Sequence, residues 1–185
     1  MIEELINSRV LILGCGNTLF GDDGFGPEVI QALEREADLP PGVTALDVGT
    51  SVSDLLFDLA LSPEKPEQII LVDAVSLPNQ SPGQVEWLPI SSIPACKKAD
   101  FSMHQFPSID LLQELALQAG VDVRVLAVQA GCIPDRVQPG LTAEVRAAVP
   151  EACRMIRSAV ALHDYAVCSL YNDCLLYTSP SPRDS

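Results

Sequence analysis

The chain has 185 residues, of which 48% are hydrophobic, so it is long enough to bury one complete core, and we expect a single domain. Its net charge of −14 argues against nucleic acid and anionic membrane surfaces as partners, because both carry negative charge. An acidic start without signal-peptide character, and six cysteines without C-x-x-C or zinc-finger spacing, predict a cytoplasmic protein with reduced thiols.

The first predicted strand, residues 10–13, leads through the segment GCGNTLFGDDGFG into a predicted helix over residues 27–36. This layout resembles a nucleotide-binding loop, but Leu19 stands where a dinucleotide fingerprint needs its third glycine. A Walker loop fails as well, since Asp22 and Asp23 occupy the places of its Lys and Ser/Thr. Adjacent carboxylates repel phosphates, so the loop favours a cation, and a dinucleotide-dependent oxidoreductase remains only a weak alternative.

Apolar runs bounded by turn residues predict five strands, and helical periodicity separates most of them. This alternation predicts an α/β fold: one twisted, five-stranded, mostly parallel sheet with helices on both faces, in three α/β/α layers. The fourth strand follows the third after the short linker LPNQSPG, which predicts antiparallel pairing or an edge position for it. The strands are predicted at residues 10–13, 43–46, 68–72, 84–88 and 121–128, and the helices at 27–36, 54–61, 108–119 and 142–162.

Near the C-terminus, Pro150 is expected to kink the last helix or to split it, and the helical pattern is expected to end near His163. We therefore predict a domain over residues 1–164 and a tail over residues 165–185. The closing CLLYTSPSPRDS has no helical period and resembles translated vector sequence; a natural disordered tail is the alternative.

Acidic residues follow the predicted strands at the edge where α/β sheets bind ligands. Asp22 and Asp23 follow the first strand, Asp47 ends the second and Asp73 ends the third. With His104 in DFSMHQFPS, the residues Asp23 and Asp73 form a reasonable ligand set for a divalent metal such as nickel, zinc or iron. The structural alternative is that Asp22 or Asp23 caps the helix at residue 27, Asp73 binds turn amides and His104 is an ordinary loop residue.

Other hydrolase signatures are missing from the sequence. It contains neither a G-x-S-x-G elbow nor an H-E-x-x-H zinc motif. The serine in GTS, Ser51, is interpreted as a helix cap paired with Asp54.

Four segments in this order, GCGNTLFGDDGFGPEVI, LDVGTS, ILVDAVS and MHQF, resemble the maturation endopeptidases of [NiFe] hydrogenases. The resemblance spans about residues 10–156, and its details are most similar to the branch that serves coenzyme F420-reducing hydrogenases. It implies a hydrolase that removes the C-terminal extension of the hydrogenase large-subunit precursor after nickel insertion. The expected partner is that nickel-loaded precursor, and the protease is expected to be a monomer.

The resemblance also assigns residues. Asp23, Asp73 and His104 match the metal contacts of the family, which holds no permanently bound cofactor and uses the substrate's nickel as a recognition mark; a divalent metal can occupy the site in isolation. Asp47 matches a further acid in a motif usually written D-G-G-T, in which Val48 replaces the first glycine here. An orienting or proton-handling catalytic role and a turn role both remain open for Asp47. A nickel chaperone or sensor with the same ligands is the alternative function.

Overall fold

The computed structural model describes residues 8–36, 39–90 and 109–175, with side chains described for all of these except 109–110, 118 and 164–175. The five predicted strands are all present, each within three residues of its predicted limits. They are β1 (Val10–Cys15), β2 (Val43–Gly49), β3 (Gln68–Val75), β4 (Val85–Leu88) and β5 (Asp122–Gln129).

The strands form one sheet in the order β2-β1-β3-β5-β4. The pairs β1–β2, β1–β3 and β3–β5 are parallel, whereas β4 lies at the edge and is antiparallel to β5. The predicted edge position and antiparallel pairing of the fourth strand are therefore confirmed. The physical reason is the short β3–β4 linker, which leaves no room for a crossover helix.

Four α-helices lie within the described ranges. A 3-10 turn (Gly21–Gly24) precedes α1 (Phe25–Glu36), α2 spans Val52–Leu61, and α3 (Ile109–Gln113) continues as a π-helical turn over Glu114–Gln118. The last helix, α4, spans Ala143–Leu175. Ser51 lies at the N-cap position of α2 but makes no side-chain capping hydrogen bond, so the predicted Ser51 cap is wrong.

Helices cover both faces of the sheet, as predicted. On one face, Leu11 and Leu13 of β1 belong to a core cluster that also contains Leu56 of α2 and Leu112 of α3. On the other face, a Cβ on Gly14 would come within 2.5 Å of Ile30 in α1. The same face receives the first part of α4, because the Cys153 thiol contacts the carbonyl of Val29 at 3.9 Å. The three-layer α/β/α prediction is confirmed.

The last helix differs from its prediction in two ways. It continues through Pro150 without a break, and it ends at Leu175 rather than near His163. Propagation adds one hydrogen bond per ordered residue after a helix has nucleated, and neither Gly nor Pro stands between His163 and Leu175 to stop it. Of the described residues, those up to Cys153 form one compact unit and those from Arg154 onward form a second. The predicted boundary at residues 164 and 165 stays a prediction.

The structure also bears on disulfide bonds and on membrane-spanning helices. Cys15, Cys132 and Cys153, whose side chains are described, form no disulfide. Among the described helices, none combines the length and the apolar character that crossing a bilayer requires.

Candidate functional site

The loop after β1 buries both of its adjacent carboxylates. Asp22 is 0% exposed and Asp23 is 3% exposed, and both lie in the 3-10 turn that precedes α1. A buried carboxylate is costly unless hydrogen bonds or a cation compensate its charge. The partners of each side chain therefore decide what each residue does.

The Asp22 side chain accepts hydrogen bonds from backbone amides that are far away in the sequence. Its Oδ2 accepts hydrogen bonds of 2.8 Å from the amides of Gly131 and Cys132. Its Oδ1 accepts a 2.6 Å bond from the Thr142 amide, and the Thr142 hydroxyl lies 3.0 Å from Oδ2. Thr142 immediately precedes α4, so the Asp22 carboxylate binds at the start of α4, although Asp22 itself lies just before α1. Its side-chain hydrogen bonds go to Gly131, Cys132 and Thr142, so Asp22 does not cap the helix at residue 27.

Asp23 points towards the end of β1. Its Oδ2 accepts a 2.7 Å hydrogen bond from the amide of Asn17. Gly16 has a φ of 114°, and a Cβ there would lie 1.9 Å from the carbonyl oxygen of Asp23. Only glycine allows the loop to close this tightly around Asp23. The Gly16 amide in turn donates a 3.0 Å bond to the carbonyl of Gly49, which connects the loop to the end of β2.

Asp73 is 2% exposed and lies inside β3, where it is in register with Ala127 of β5. Its Oδ1 accepts a 2.8 Å bond from the amide of Ala74. The preceding residue, Val72, pairs with Gly14 of β1. The prediction that the strand ends before Asp73 is wrong by three residues, because β5 continues to supply partners for β3.

Close helix packing brings the Asp23 turn to the same edge of the sheet as Asp73. A Cβ on Gly26, in the first turn of α1, would lie 2.3 Å from the Cys15 carbonyl oxygen and 2.5 Å from that of Val72. The 3-10 turn that carries Asp23 also contacts β3. The 3-10 turn that carries Asp23 therefore lies against β3, the strand that carries Asp73.

Asp47 is exposed in β2, and its Oδ1 accepts a 2.9 Å bond from the Gly49 amide. The turn role considered for Asp47 is therefore present, at a glycine with a φ of 50°. Asp47 also lines a small cleft of about 160 Å³. The other lining residues are Thr18, Pro27, Glu28, Ile30, Gln31 and Glu34.

Val48 occupies the position where the D-G-G-T pattern has a glycine. Its side chain is partly buried and packs against the core cluster on the α2 face of the sheet. The departure from the pattern thus adds an apolar contact and leaves the hydrogen bond between Asp47 and Gly49 in place.

His104, the predicted third metal contact, lies outside the described residues. Within residues 8–36, 39–90 and 109–175, no group of three or more His, Cys, Asp or Glu side chains is placed to hold a metal ion. The full set of Asp23, Asp73 and His104 remains a prediction.

The sequence analysis placed Asp23 in the metal set, left the choice between Asp22 and Asp23 open for a helix cap at residue 27, and gave Asp22 no other role. The structure separates them through the segment after β5, at residues 131–142, whose amides bind Asp22. No local pattern in GDDG distinguishes the two carboxylates, since the distinguishing donors lie more than 100 residues away in the chain.

A family model described as hydrogenase maturation protease matches residues 27–159. The delta subunit of coenzyme F420 hydrogenase from Methanothermobacter thermautotrophicus is 37% identical over 158 residues, which cover 81% of this chain and 93% of that protein. The hydrogenase 2 maturation protease of Escherichia coli is 32% identical over 154 residues, covering 82% and 90%. Among solved structures, the hydrogenase maturating endopeptidase HybD from E. coli matches with a TM-score of 0.68 at 29% identity, covering 84% of this chain and 93% of that one.

Proposed function

This chain belongs to the hydrogenase maturation protease family, and from that membership we propose that it is an endopeptidase acting on the precursor of a [NiFe] hydrogenase large subunit. It removes the C-terminal extension of that precursor after nickel has been inserted. The relation to the delta subunit of coenzyme F420 hydrogenase makes the large-subunit precursor of such a hydrogenase the first substrate to test.

The observation that carries this proposal is the pair of buried carboxylates at one edge of the sheet. Asp23 lies in the 3-10 turn after β1, Asp73 lies in β3, and both are almost completely buried. Carboxylates provide negative charge and oxygen ligands to a divalent metal, and imidazole completes a set that suits nickel. In our proposal, Asp23, Asp73 and His104 bind the nickel that the precursor already carries, so that binding also inspects whether the metal is present.

Hydrolysis requires a water to add to the scissile carbonyl carbon, the C–N bond to break and a proton to reach the leaving amine. A nearby metal polarises the carbonyl or lowers the pKa of a bound water. Asp47 is the proposed orienting or proton-handling residue, because its side chain is exposed at the same edge of the sheet and is held by the Gly49 amide. The protease itself contributes no resident metal in this scheme.

The test is to incubate the full chain with nickel-loaded and with nickel-free large-subunit precursor and to follow the precursor's mass. We expect a short C-terminal peptide to be lost from the nickel-loaded form only. His104→Ala and Asp23→Asn should abolish the loss, whereas Asp58→Asn, the same chemical change on an exposed face of α2, should not.

Cleavage of the nickel-free precursor at an equal rate would contradict nickel recognition. Tight nickel binding by the free protein, without cleavage of a competent precursor, would instead favour the chaperone or sensor. Calorimetry on the same preparation measures the nickel affinity of the free protein. A high affinity without cleavage identifies the chaperone or sensor.

A further inference from the structure

The loop after β1 and the segment after β5 are joined along their backbones as well as through the Asp22 side chain. The Asp22 amide donates to the Cys132 carbonyl at 3.1 Å, and the Gly21 amide donates to the Gln138 carbonyl at 2.9 Å. The Gln138 amide returns a 2.9 Å bond to the carbonyl of Leu19. Together with the bonds to the Asp22 carboxylate, these bonds connect residues 19–22 to residues 131–142, so a shift of one segment displaces the other.

There is little free space between the two segments. A Cβ on Gly21 would come within 2.7 Å of the Cys132 carbonyl oxygen. A Cβ on Gly131 would lie 3.4 Å from Oδ2 of Asp22 and 3.3 Å from the Thr142 hydroxyl. The two segments therefore cannot move independently without breaking contacts.

The surroundings of Asp22 offer hydrogen-bond donors to both oxygens of its carboxylate. Three backbone amides and one hydroxyl point at its two oxygens, and one of the amides belongs to Thr142, immediately before α4, where the helix dipole favours negative charge. An amide side chain would turn an N–H group towards at least one of these donors. Replacement by Asn therefore loses more than a single hydrogen bond.

The position of Asp23 depends on this arrangement. Asp23 follows Asp22 directly in a 3-10 turn of four residues, Gly21–Gly24. Its side chain is held by Asn17 and its carbonyl is packed against Gly16, so Asp23 has no freedom to compensate for a shift of its neighbour. A displacement of Asp22 reaches Asp23 through one rigid peptide unit.

We propose that Asp22 is a positioning residue: through Gly131, Cys132 and Thr142 it holds the loop after β1 so that Asp23 presents its carboxylate in the geometry that the reaction needs. The segment from Gly131 to Thr142 is then a part of the reaction machinery that touches no reacting atom. The effect on catalysis rests on the proposed function of Asp23. The positioning of Asp23 by Asp22 can be measured without any substrate.

The first experiment measures hydrogen exchange of the Asn17 amide in the full chain, in the parent protein and in Asp22→Asn. We expect exchange at Asn17 to accelerate at least about tenfold, as for the loss of hydrogen bonds to a charged group. The amide of Ile70, in the centre of the sheet, reports global opening and should change much less. Equal acceleration at Asn17 and Ile70, or no change at Asn17, would overturn the proposal.

A milder pair of variants separates positioning from folding. Thr142→Val removes only the hydroxyl donor to Asp22, whereas Thr142→Ser keeps it. We expect Thr142→Val to accelerate Asn17 exchange and to slow cleavage of the nickel-loaded precursor several-fold, and Thr142→Ser to restore both. Equal behaviour of the two variants would contradict the proposal, and this pair remains informative if Asp22→Asn does not fold.

The matched control is Asp122→Asn. Asp122 accepts bonds from Gln68 at 2.7 Å and from Arg124 at 2.9 Å, at the opposite end of the parallel strands. The Asp122→Asn variant should leave hydrogen exchange at the Asn17 amide and cleavage of the precursor unchanged, even if its free energy of unfolding falls. If the parent chain cleaves no precursor, the proposed function fails, while the exchange measurements still decide whether Asp22 positions Asp23.

Discussion

The amide of Gly16 donates a 3.0 Å hydrogen bond to the carbonyl of Gly49, and this bond joins the loop that carries Asp23 to the turn that carries Asp47. Both glycines have positive φ values, 114° and 50°. Two loops from separate strands are thus connected through backbone conformations that favour glycine. The arrangement makes the backbone, as much as the side chains, responsible for the geometry of the site.

The first prediction concerns Gly16→Ala. A Cβ there would lie 1.9 Å from the Asp23 carbonyl oxygen, so the loop must shift, and we expect a loss of about 2 kcal/mol or more of unfolding free energy together with loss of cleavage. Urea denaturation measures the first effect. The control is Gly120→Ala, also at positive φ but with nothing within 4 Å of its Cβ, which should cost about 1 kcal/mol and leave cleavage intact. Equal stability losses in both variants would contradict the steric argument.

The second prediction concerns Asp73→Asn, which keeps the shape of the side chain and removes its charge. If Asp73 binds the precursor's nickel, cleavage should fall by about 100-fold or more, while the free energy of unfolding should change by no more than about 1 kcal/mol. Single-turnover experiments with the nickel-loaded precursor measure the cleavage rate, and urea denaturation measures the free energy of unfolding. Retention of the parental rate would remove Asp73 from the site.

The third prediction separates the two roles of Asp47. Asp47→Asn retains an oxygen that can accept from the Gly49 amide, whereas Asp47→Ala removes it. If proton handling is the role, both variants should lose cleavage, but only Asp47→Ala should lose about 1 kcal/mol of stability. A fully active Asp47→Asn would leave Asp47 with the turn role alone.

The fourth prediction concerns Val48→Gly, which restores the D-G-G-T pattern. Val48 packs against the core cluster, so its removal should lower the free energy of unfolding by about 1–2 kcal/mol. Val137→Gly is the comparison, because Val137 is 64% exposed and loses little contact. If the two variants lose equal stability, the loss reflects glycine flexibility rather than packing.

The fifth prediction concerns metal removal. Because the nickel belongs to the substrate in our proposal, treating the protease with a chelator and then removing the chelator should not change its cleavage of nickel-loaded precursor. Elemental analysis of the treated protease establishes that it is metal-free. Loss of activity that returns with added nickel or zinc would show a resident metal instead.

Much of the fold could be predicted from local patterns. Apolar runs located every strand, because a strand buried on both faces is apolar along its whole length, as in β1 and β3. The strand ends were less accurate, since β3 continues past Asp73 only because β5 pairs with it. The end of α4 was misjudged, because a weak periodic pattern does not stop a helix that has already formed.

The sequence by itself determined the α/β class, the edge position of the fourth strand and the collection of acids near the carboxyl ends of the first three strands, because strand and helix periodicity and linker length are local properties. Only the tertiary structure decided what the Asp22 carboxylate binds. The donors that bind Asp22 come from Gly131, Cys132 and Thr142, which lie 109 to 120 residues away along the chain. A carboxylate's role is set by the groups that surround it in space, and those groups meet only when the chain folds.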